Sequence, residues 1–308
     1  MSSQIVLYSG PGASPFCVDV LESKMQSLCD DRLYRISKVS SFLGHYLDPG
    51  KPVKALFVPG GNAAEMAVHS DLSMKVNFIR GGGVHCECPQ MKRLESELKY
   101  GEISYGGVCA GGILACGSFY EKGLGDDNLR AEYHGKGAAY GSFFPAGVLA
   151  PLFPKPPAGQ PFSLANIHFD PVVLPQIEGS NRSLPSFHVL SPGFIDFPKE
   201  AEVLAKYGDT QPEEYKLIQA SFPLVRSVSR DLEVASSLYY RGEFPMLITG
   251  PHFEVDSRDV LSERFRHEVS GSLEEREVLA SAMEPTDEDR REVLRSFLVK
   301  LGIVCKKS

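Results

Sequence analysis

No apolar run in the 308-residue sequence approaches the ~18–20 residues that a membrane-crossing helix needs. Met1 to Gln4 are polar and run directly into Ile5-Val6-Leu7-Tyr8, with no basic stretch ahead of an apolar one, so neither a secretory leader nor a membrane anchor is expected. Basic charge is not concentrated either. Lys and Arg total 32 against 39 Asp and Glu, a net charge of −7, and the cations are scattered, so no nucleic-acid or anionic-membrane surface is expected. No glycine-rich turn is followed by Gly-Lys-Ser/Thr and no G-x-G-x-x-G is complete. Phosphate-loop readings therefore lapse, and no cofactor is expected. The seven cysteines are odd in number and irregularly spaced, as reduced thiols in a cytoplasm-like compartment would be rather than a disulfide framework.

What is present is an alternation of strand and helix signals. Ile5–Ser9 is a short apolar run that stops at Gly10-Pro11-Gly12, and Ser14-Pro15 then has the form of an N-cap with Pro in the first helical position. Val18, Leu21, Met25 and Leu28 follow at spacings of three and four, the buried stripe of a helix from about Pro15 to Cys29. Strands are predicted over Tyr34–Val39, over Ala55–Val58 ending at Pro59-Gly60-Gly61, and over Ile103–Val108 ending at Cys109, with a helix over Met91–Tyr100 between the last two. This alternation predicts an α/β fold with a mostly parallel sheet and helices on both faces. Ligands of such sheets bind beyond the carboxyl ends of the strands. The turns at Gly10–Gly12, Gly60-Gly61 and Gly107–Gly112 are therefore expected to meet in one crevice, with Gly10, Gly12, Gly60 and Ile113 bordering a substrate.

The α/β domain is expected to span residues 1–256, with a Pro/Gly-rich β insertion at about 140–198. A short helix is predicted over Lys199–Tyr207, and strands over Leu217–Leu224, Val234–Tyr240 and Phe244–Thr249. Residues 257–308 read as a helical extension packed on that domain. Its last helix would be capped by Thr286, opened by Asp287, Glu288 and Asp289, and buried along Val293, Leu294, Phe297, Leu298 and Leu301.

Gly107-Val108-Cys109-Ala110-Gly111 fits a nucleophile turn, G-x-C-x-G, in which glycines make room for a side chain held on a sharp strand-to-helix bend. A helix N-terminus beneath the sulfur would favour the thiolate. The alternative is a buried structural cysteine. His252-Phe253-Glu254 offers a base and an orienting carboxylate two residues apart, on the same side of an extended segment. Its weight comes from its place, just past the apolar run Phe244–Thr249 and the Gly250-Pro251 turn. Cys and His distant in sequence and adjacent in the fold are the arrangement of a thiol nucleophile. Backbone N–H groups of the Pro59-Gly60-Gly61 turn would stabilise an oxyanion together with that of Ala110, although a tight turn alone explains those glycines equally well without the Cys. His85-Cys86-Glu87-Cys88 resembles a metal clip but has no second pair at zinc spacing, so no metal is expected. His134, His168 and His188 stand alone and read as structural.

These blocks in this order resemble class I glutamine amidotransferase domains. The similarity is closer still to the amidotransferase-like N-terminal domain of eukaryotic-type biotin–protein ligases, which also occurs as a stand-alone protein. It is carried by Val6 to Gly12, Tyr105 to Gly111, Phe143-Phe144-Pro145-Ala146-Gly147, and Ile248 to Glu254, and covers about residues 5–256. The resemblance implies a flavodoxin-like sheet, a Cys109–His252–Glu254 triad, and Gly61 and Ala110 as the oxyanion hole. Two departures shape the expected activity. Glutamine-hydrolysing members usually carry Gln four residues after the nucleophile, where this chain has Ile113, so the substrate is not expected to be simple glutamine. Biotin ligation needs an adenylate loop rich in Gly and Arg with a nearby Trp, and the sequence has no Trp and no Gly-Arg-Gly-Arg run. The segment Met74–Tyr100 is long for the connection it replaces and reads as an insertion beside the nucleophile turn. Two functions follow. One is cysteine-dependent hydrolysis or transfer at an amide-type carbonyl of a small molecule or amide substrate. The other is a regulatory or binding module that keeps the site without turnover, with a separate protein partner as one way for it to act; a thiol sensor, or a hydrolase of another substrate on the same fold, is a third.

Overall fold

A computed structural model describes residues 2–41, 52–68, 94, 96, 98, 103–121, 137–138, 143–150, 163–169, 183–188, 192–195, 197–208, 234–268 and 272–307. Five strands form its parallel centre: β1 (Ser3–Tyr8), β2 (Tyr34–Val39), β3 (Val53–Val58), β4 (Ser104–Val108) and, late in the chain, β13 (Phe244–Thr249). They lie side by side in the order β2-β1-β3-β4-β13, every neighbouring pair parallel. This is the flavodoxin-like order, and it turns all the strand ends that carry glycine turns, Cys109 and His252 to one edge.

Both faces are covered, and the side-chain alternation of the strands assigns the layers. Ile5 and Leu7 of β1 and Ala55 and Phe57 of β3 pack with Val18, Leu21, Met25 and Leu28 of α1 (Pro15–Leu28). The same layer holds Val293, Leu294, Phe297 and Leu298 of the last long helix, Asp287–Lys300. Val6, Tyr8, Leu56 and Val58 point the other way, onto Met66 of α2 (Ala63–Val68) and Leu114 of α3 (Ala110–Ala115). Of the helix expected over Met91–Tyr100, the described residues Leu94, Ser96 and Leu98 are helical, and both leucines are buried in this second layer.

Beyond β13 the sheet turns antiparallel. A tight turn at Gly242 joins it to β12 (Val234–Arg241), and β10 (Gly193–Ile195), β7 (Phe144–Ala150), β5 (Cys116–Glu121) and β6 (Gly137–Ala138) extend that edge. A side branch from β12 carries β11 (Glu202–Tyr207), β8 (Ser163–Phe169) and β9 (Ser183–His188). Among the described residues all thirteen strands belong to one sheet.

Two sequence expectations are corrected. Lys199–Tyr207 is not a helix: Glu202–Tyr207 is β11, paired antiparallel with β12 on one side and β8 on the other. Glu, Ala, Leu and Lys favour a helix in isolation, but two hydrogen-bonded neighbours and the burial of Leu204, Ala205 and Tyr207 override that preference. Thr286 does precede the last helix, yet its side chain caps nothing. A 3-10 turn, Glu284–Thr286, runs straight into the helix, and Thr286 Oγ1 donates to Met283 O and accepts from Arg290 Nη1 instead. The expected strand Leu217–Leu224 and residues 74–90 lie outside the described residues.

The C-terminal segment begins with three short helices, α4 (Ser257–Val260), α5 (Glu263–Glu268) and α6 (Leu273–Met283), before the long helix, α7 (Asp287–Lys300). Val260, Phe265, Leu279 and Met283 join Phe16, Cys17, Val20, Phe187 and Val255 in a third cluster beside the end of the sheet. No helix among the described residues is long and apolar enough to cross a membrane.

Candidate active site

Cys109 stands between β4 and α3 at φ 50° and ψ −106°, the one non-glycine residue with positive φ among the described residues. An L-residue adopts that backbone at a cost of about 1–3 kcal/mol, tolerated where the surroundings fix it. Here they do. The Cys109 N–H donates to Thr249 O at 2.7 Å, and Cys109 O accepts from Ile113 N–H at 3.0 Å. Gly107 and Gly111 supply the room: a Cβ at Gly107 would stand 2.7 Å from Gly111 O, and one at Gly111 only 2.1 Å from Val58 O. The helix that follows has six residues, so its dipole is short, and the main polar partner of the sulfur comes from another source.

That source is His252. Its ring is buried, hydrogen-bonded to the Cys109 side chain, and its Nδ1 lies 2.8 Å from Glu254 Oε1. Burial alone would favour the neutral ring. The Glu254 carboxylate, the Cys17 sulfur, and the hydrogen bonds from Cys109 and Cys17 outweigh it and hold the imidazole well above its ordinary range. The spacing of His252 and Glu254 works differently from the extended segment that the sequence suggested. Val255 N–H donates to His252 O at 3.3 Å, closing a turn that folds the carboxylate back onto the ring. A strand from the antiparallel wing fixes the other side. The His252 N–H donates to Phe187 O at 2.9 Å, and the two rings pack with centroids 5.6 Å apart.

Two of the three glycine turns, Gly10–Gly12 and Gly60-Gly61, meet by binding one another. Ser14 N–H donates to Gly60 O at 3.0 Å and Asn62 N–H to Gly12 O at 2.7 Å, and Ala13 bridges to Gly61. Gly61, at φ 147°, has no space for a side chain, since a Cβ would meet Gly12 O at 2.0 Å. Gly60 lies under the imidazole, and a Cβ there would be 2.5 Å from His252 Cε1. Gly10 packs on the Ser40 backbone. Ala110 is buried directly after the nucleophile, and Ile113, one helical turn on, packs half-buried against the α2–α3 layer.

Sequence reasoning missed three members of this assembly: Thr249, Phe187 and Cys17. Cys17 Sγ lies 4.0 Å from His252 Nδ1, and the ligand atoms of Cys17, His252 and Glu254 all fall within 4.8 Å of one another. Its place three residues after the Ser14 cap, on the buried side of α1, was the available signal. His168 is exposed on β8, away from this cluster. His134 and His85-Cys86-Glu87-Cys88 lie outside the described residues.

No protein-family model and no curated protein matches the chain. Solved structures do. A glutamine amidotransferase from Thermotoga maritima superposes with a TM-score of 0.54 at 14% identity, covering 98% of this chain and 98% of its own. The structure of PurLQS from the same organism gives a TM-score of 0.50 at 13% identity, over 98% of this chain and 100% of that one. The chain therefore has the fold of the class I glutamine amidotransferase-like proteins.

Proposed function

We propose that the protein is a cysteine-dependent amide hydrolase or amidotransferase-like enzyme in which Cys109 is the nucleophile, His252 its proton partner and Glu254 the group that orients His252. The observation that carries this reading is the strained Cys109 backbone, held at the edge of the sheet with its side chain hydrogen-bonded to a buried His–Glu pair. Strain at a non-glycine residue persists where it serves to present a side chain. The thiol proton passes to His252, the sulfur forms a bond to the substrate carbonyl carbon, and the backbone N–H groups of Gly61 and Ala110 receive the oxyanion. The carbon–nitrogen bond then breaks with the proton on His252 going to the leaving amine, and water hydrolyses the thioester to regenerate the thiol. The four sequence blocks resemble those of the amidotransferase-like domain of biotin–protein ligases and support a role of that kind, and the odd, irregularly spaced cysteines support a reducing, cytoplasm-like compartment.

Iodoacetamide tests the first step. The metal-free protein should alkylate at Cys109 far faster than at its other thiols near neutral pH, and His252→Asn should erase the difference. Equal rates at all thiols in the wild type would end the reading. A second reading is favoured by Ile113, an apolar side chain where glutamine-hydrolysing relatives carry Gln: a regulatory module that binds an amide ligand or a protein partner without turnover. It predicts that Cys109→Ala keeps ligand or partner binding, whereas a catalytic role predicts a thioester that can be trapped with hydroxylamine.

A further inference from the structure

We infer that Cys17, His252 and Glu254 form a binding site for a zinc-class divalent cation, and that its occupancy silences Cys109; only the silencing rests on the thiol chemistry proposed above. The three ligand atoms, a sulfur, a nitrogen and an oxygen, converge within 4.8 Å on side chains that are 6%, 2% and 1% exposed. Tetrahedral zinc with its ordinary bond lengths sets ligand atoms roughly 3.3–3.6 Å apart. Two of the separations straddle that range, 2.8 Å from Nδ1 to Oε1 and 4.0 Å from Nδ1 to Sγ, and the third is no more than 4.8 Å, so shifts of up to about 1 Å would close the site. A mixed thiolate, imidazole and carboxylate set suits a borderline cation of this kind better than magnesium or calcium.

Two features argue that Cys17 is more than a small apolar filler. It belongs to a cluster with Phe16, Val20, Phe187 and Val255, in which an aliphatic side chain would pack equally well, yet its sulfur lies 4.0 Å from the imidazole Nδ1. Gly60 is the reason the two side chains can approach: a Cβ there would lie 3.0 Å from Cys17 Sγ as well as 2.5 Å from His252 Cε1. The charges also balance. On binding, the Cys17 thiol proton and the proton shared by Nδ1 and Glu254 leave to solvent. A dication, a thiolate and a carboxylate then sum to zero in a buried place. With Nδ1 metallated, the neutral ring carries its proton on the other nitrogen and can take none from Cys109.

The test uses reduced, EDTA-treated full-length protein titrated with cobalt chloride. One cobalt per chain should bind with a thiolate-to-cobalt charge-transfer band that zinc chloride displaces. Cys17→Ser should lose both band and bound metal, Glu254→Gln should weaken them, and Cys29→Ser should keep them. Thermal melts of the metal-free variants matched to wild type tie these losses to the ligands rather than to misfolding. One equivalent of zinc should slow iodoacetamide alkylation of Cys109 by on the order of a hundredfold, the lower end of what a positioned base contributes, and EDTA should restore it. Absence of the band in the wild type, or its survival in Cys17→Ser and loss in a Cys86→Ser/Cys88→Ser variant, would overturn the site. A band in a protein whose metal-free Cys109 is already sluggish would uphold the cation site and sink the thiol chemistry.

Discussion

Gly60 and His252 are packed so closely that a single methyl group at position 60 would stand 2.5 Å from the imidazole Cε1 and 3.3 Å from Nε2. The ring is wedged between this bare backbone and Phe187, and its orientation depends on both. Gly60→Ala must therefore push the imidazole away from Cys109. A displacement near 1 Å at a reacting group costs about 100-fold in rate, so Cys109 alkylation in this variant should fall by that order. Stability should fall as well, by about 1–3 kcal/mol, because Gly60 is buried and the added carbon overpacks its surroundings. Rates of carboxamidomethylation at Cys109, followed by mass spectrometry, check it.

The backbone of Cys109 gives a contrast between two variants. Cys109→Ala keeps the unfavourable φ, while Cys109→Gly removes it. Both abolish thiol chemistry. The glycine variant should be the more stable of the two by about 1 kcal/mol, even though glycine ordinarily loses to alanine through the entropy of the unfolded chain. Urea denaturation midpoints of the two proteins decide the sign, and an alanine variant more stable than the glycine one by the ordinary ~0.4–1 kcal/mol would mean that the bend is unstrained.

The raised affinity of His252 for its proton makes part of the stability depend on pH. In the unfolded chain the residue titrates near ~6.5, and in the folded protein well above that. A folded-state value above the unfolded one stabilises fully below about 6.5 and loses that contribution as pH rises through the folded value. The wild type should exceed His252→Asn in unfolding free energy at pH 6, with the gap narrowing at higher pH. Glu254→Gln removes the charge that opposes burial, so His252 should lose its proton at lower pH and the gap should vanish earlier. Chemical denaturation across pH 5.5–9 measures both.

Phe187 is fully buried between the imidazole and the Phe265 ring, with centroids 5.6 Å and 5.3 Å away. Phe187→Ala should cost about 3–5 kcal/mol through the cavity it leaves. Phe187→Leu should keep most of the stability while loosening the ring of His252, so its Cys109 alkylation should fall out of proportion to its small shift in denaturation midpoint. Proportionate loss in both variants would leave Phe187 as packing alone.

The parallel half of the fold was legible because its strands announce themselves twice, as apolar runs and by the turns that end them. Ile5–Tyr8, Ala55–Val58 and Phe244–Thr249 are covered on both faces, and such strands read as continuous apolar stretches. His252 was legible for the same reason, since it follows Phe244–Thr249 by one turn, and Cys109 from its G-x-C-x-G turn at the end of β4. The antiparallel wing was legible in part: β7 to β10 fall in the expected β insertion and β12 on the expected strand Val234–Tyr240, but β11 was read as a helix. β11 is built from Glu202-Val203-Leu204-Ala205-Lys206-Tyr207, residues whose local preference is helical, and only its partners β12 and β8 make it a strand. Cys17 and Phe187 escaped for a related reason: each reaches the site through packing between segments far apart in the chain or from a different layer, and no local pattern encodes such a meeting. Thr286 precedes the last helix as expected but does not cap it, because it closes the 3-10 turn Glu284–Thr286 and its hydroxyl donates to Met283 O instead.

The bridge from Phe187 to His252 has a meaning for modularity. The residue that handles the proton takes its backbone anchor from β9, the far end of the branch that runs through β8 and β11. The five parallel strands therefore do not contain a complete site, although they carry every residue of the Cys109–His252–Glu254 set. Trimming the protein to its flavodoxin-like centre, or grafting that centre onto another protein, would transfer the reacting groups and leave behind the wall that aims one of them.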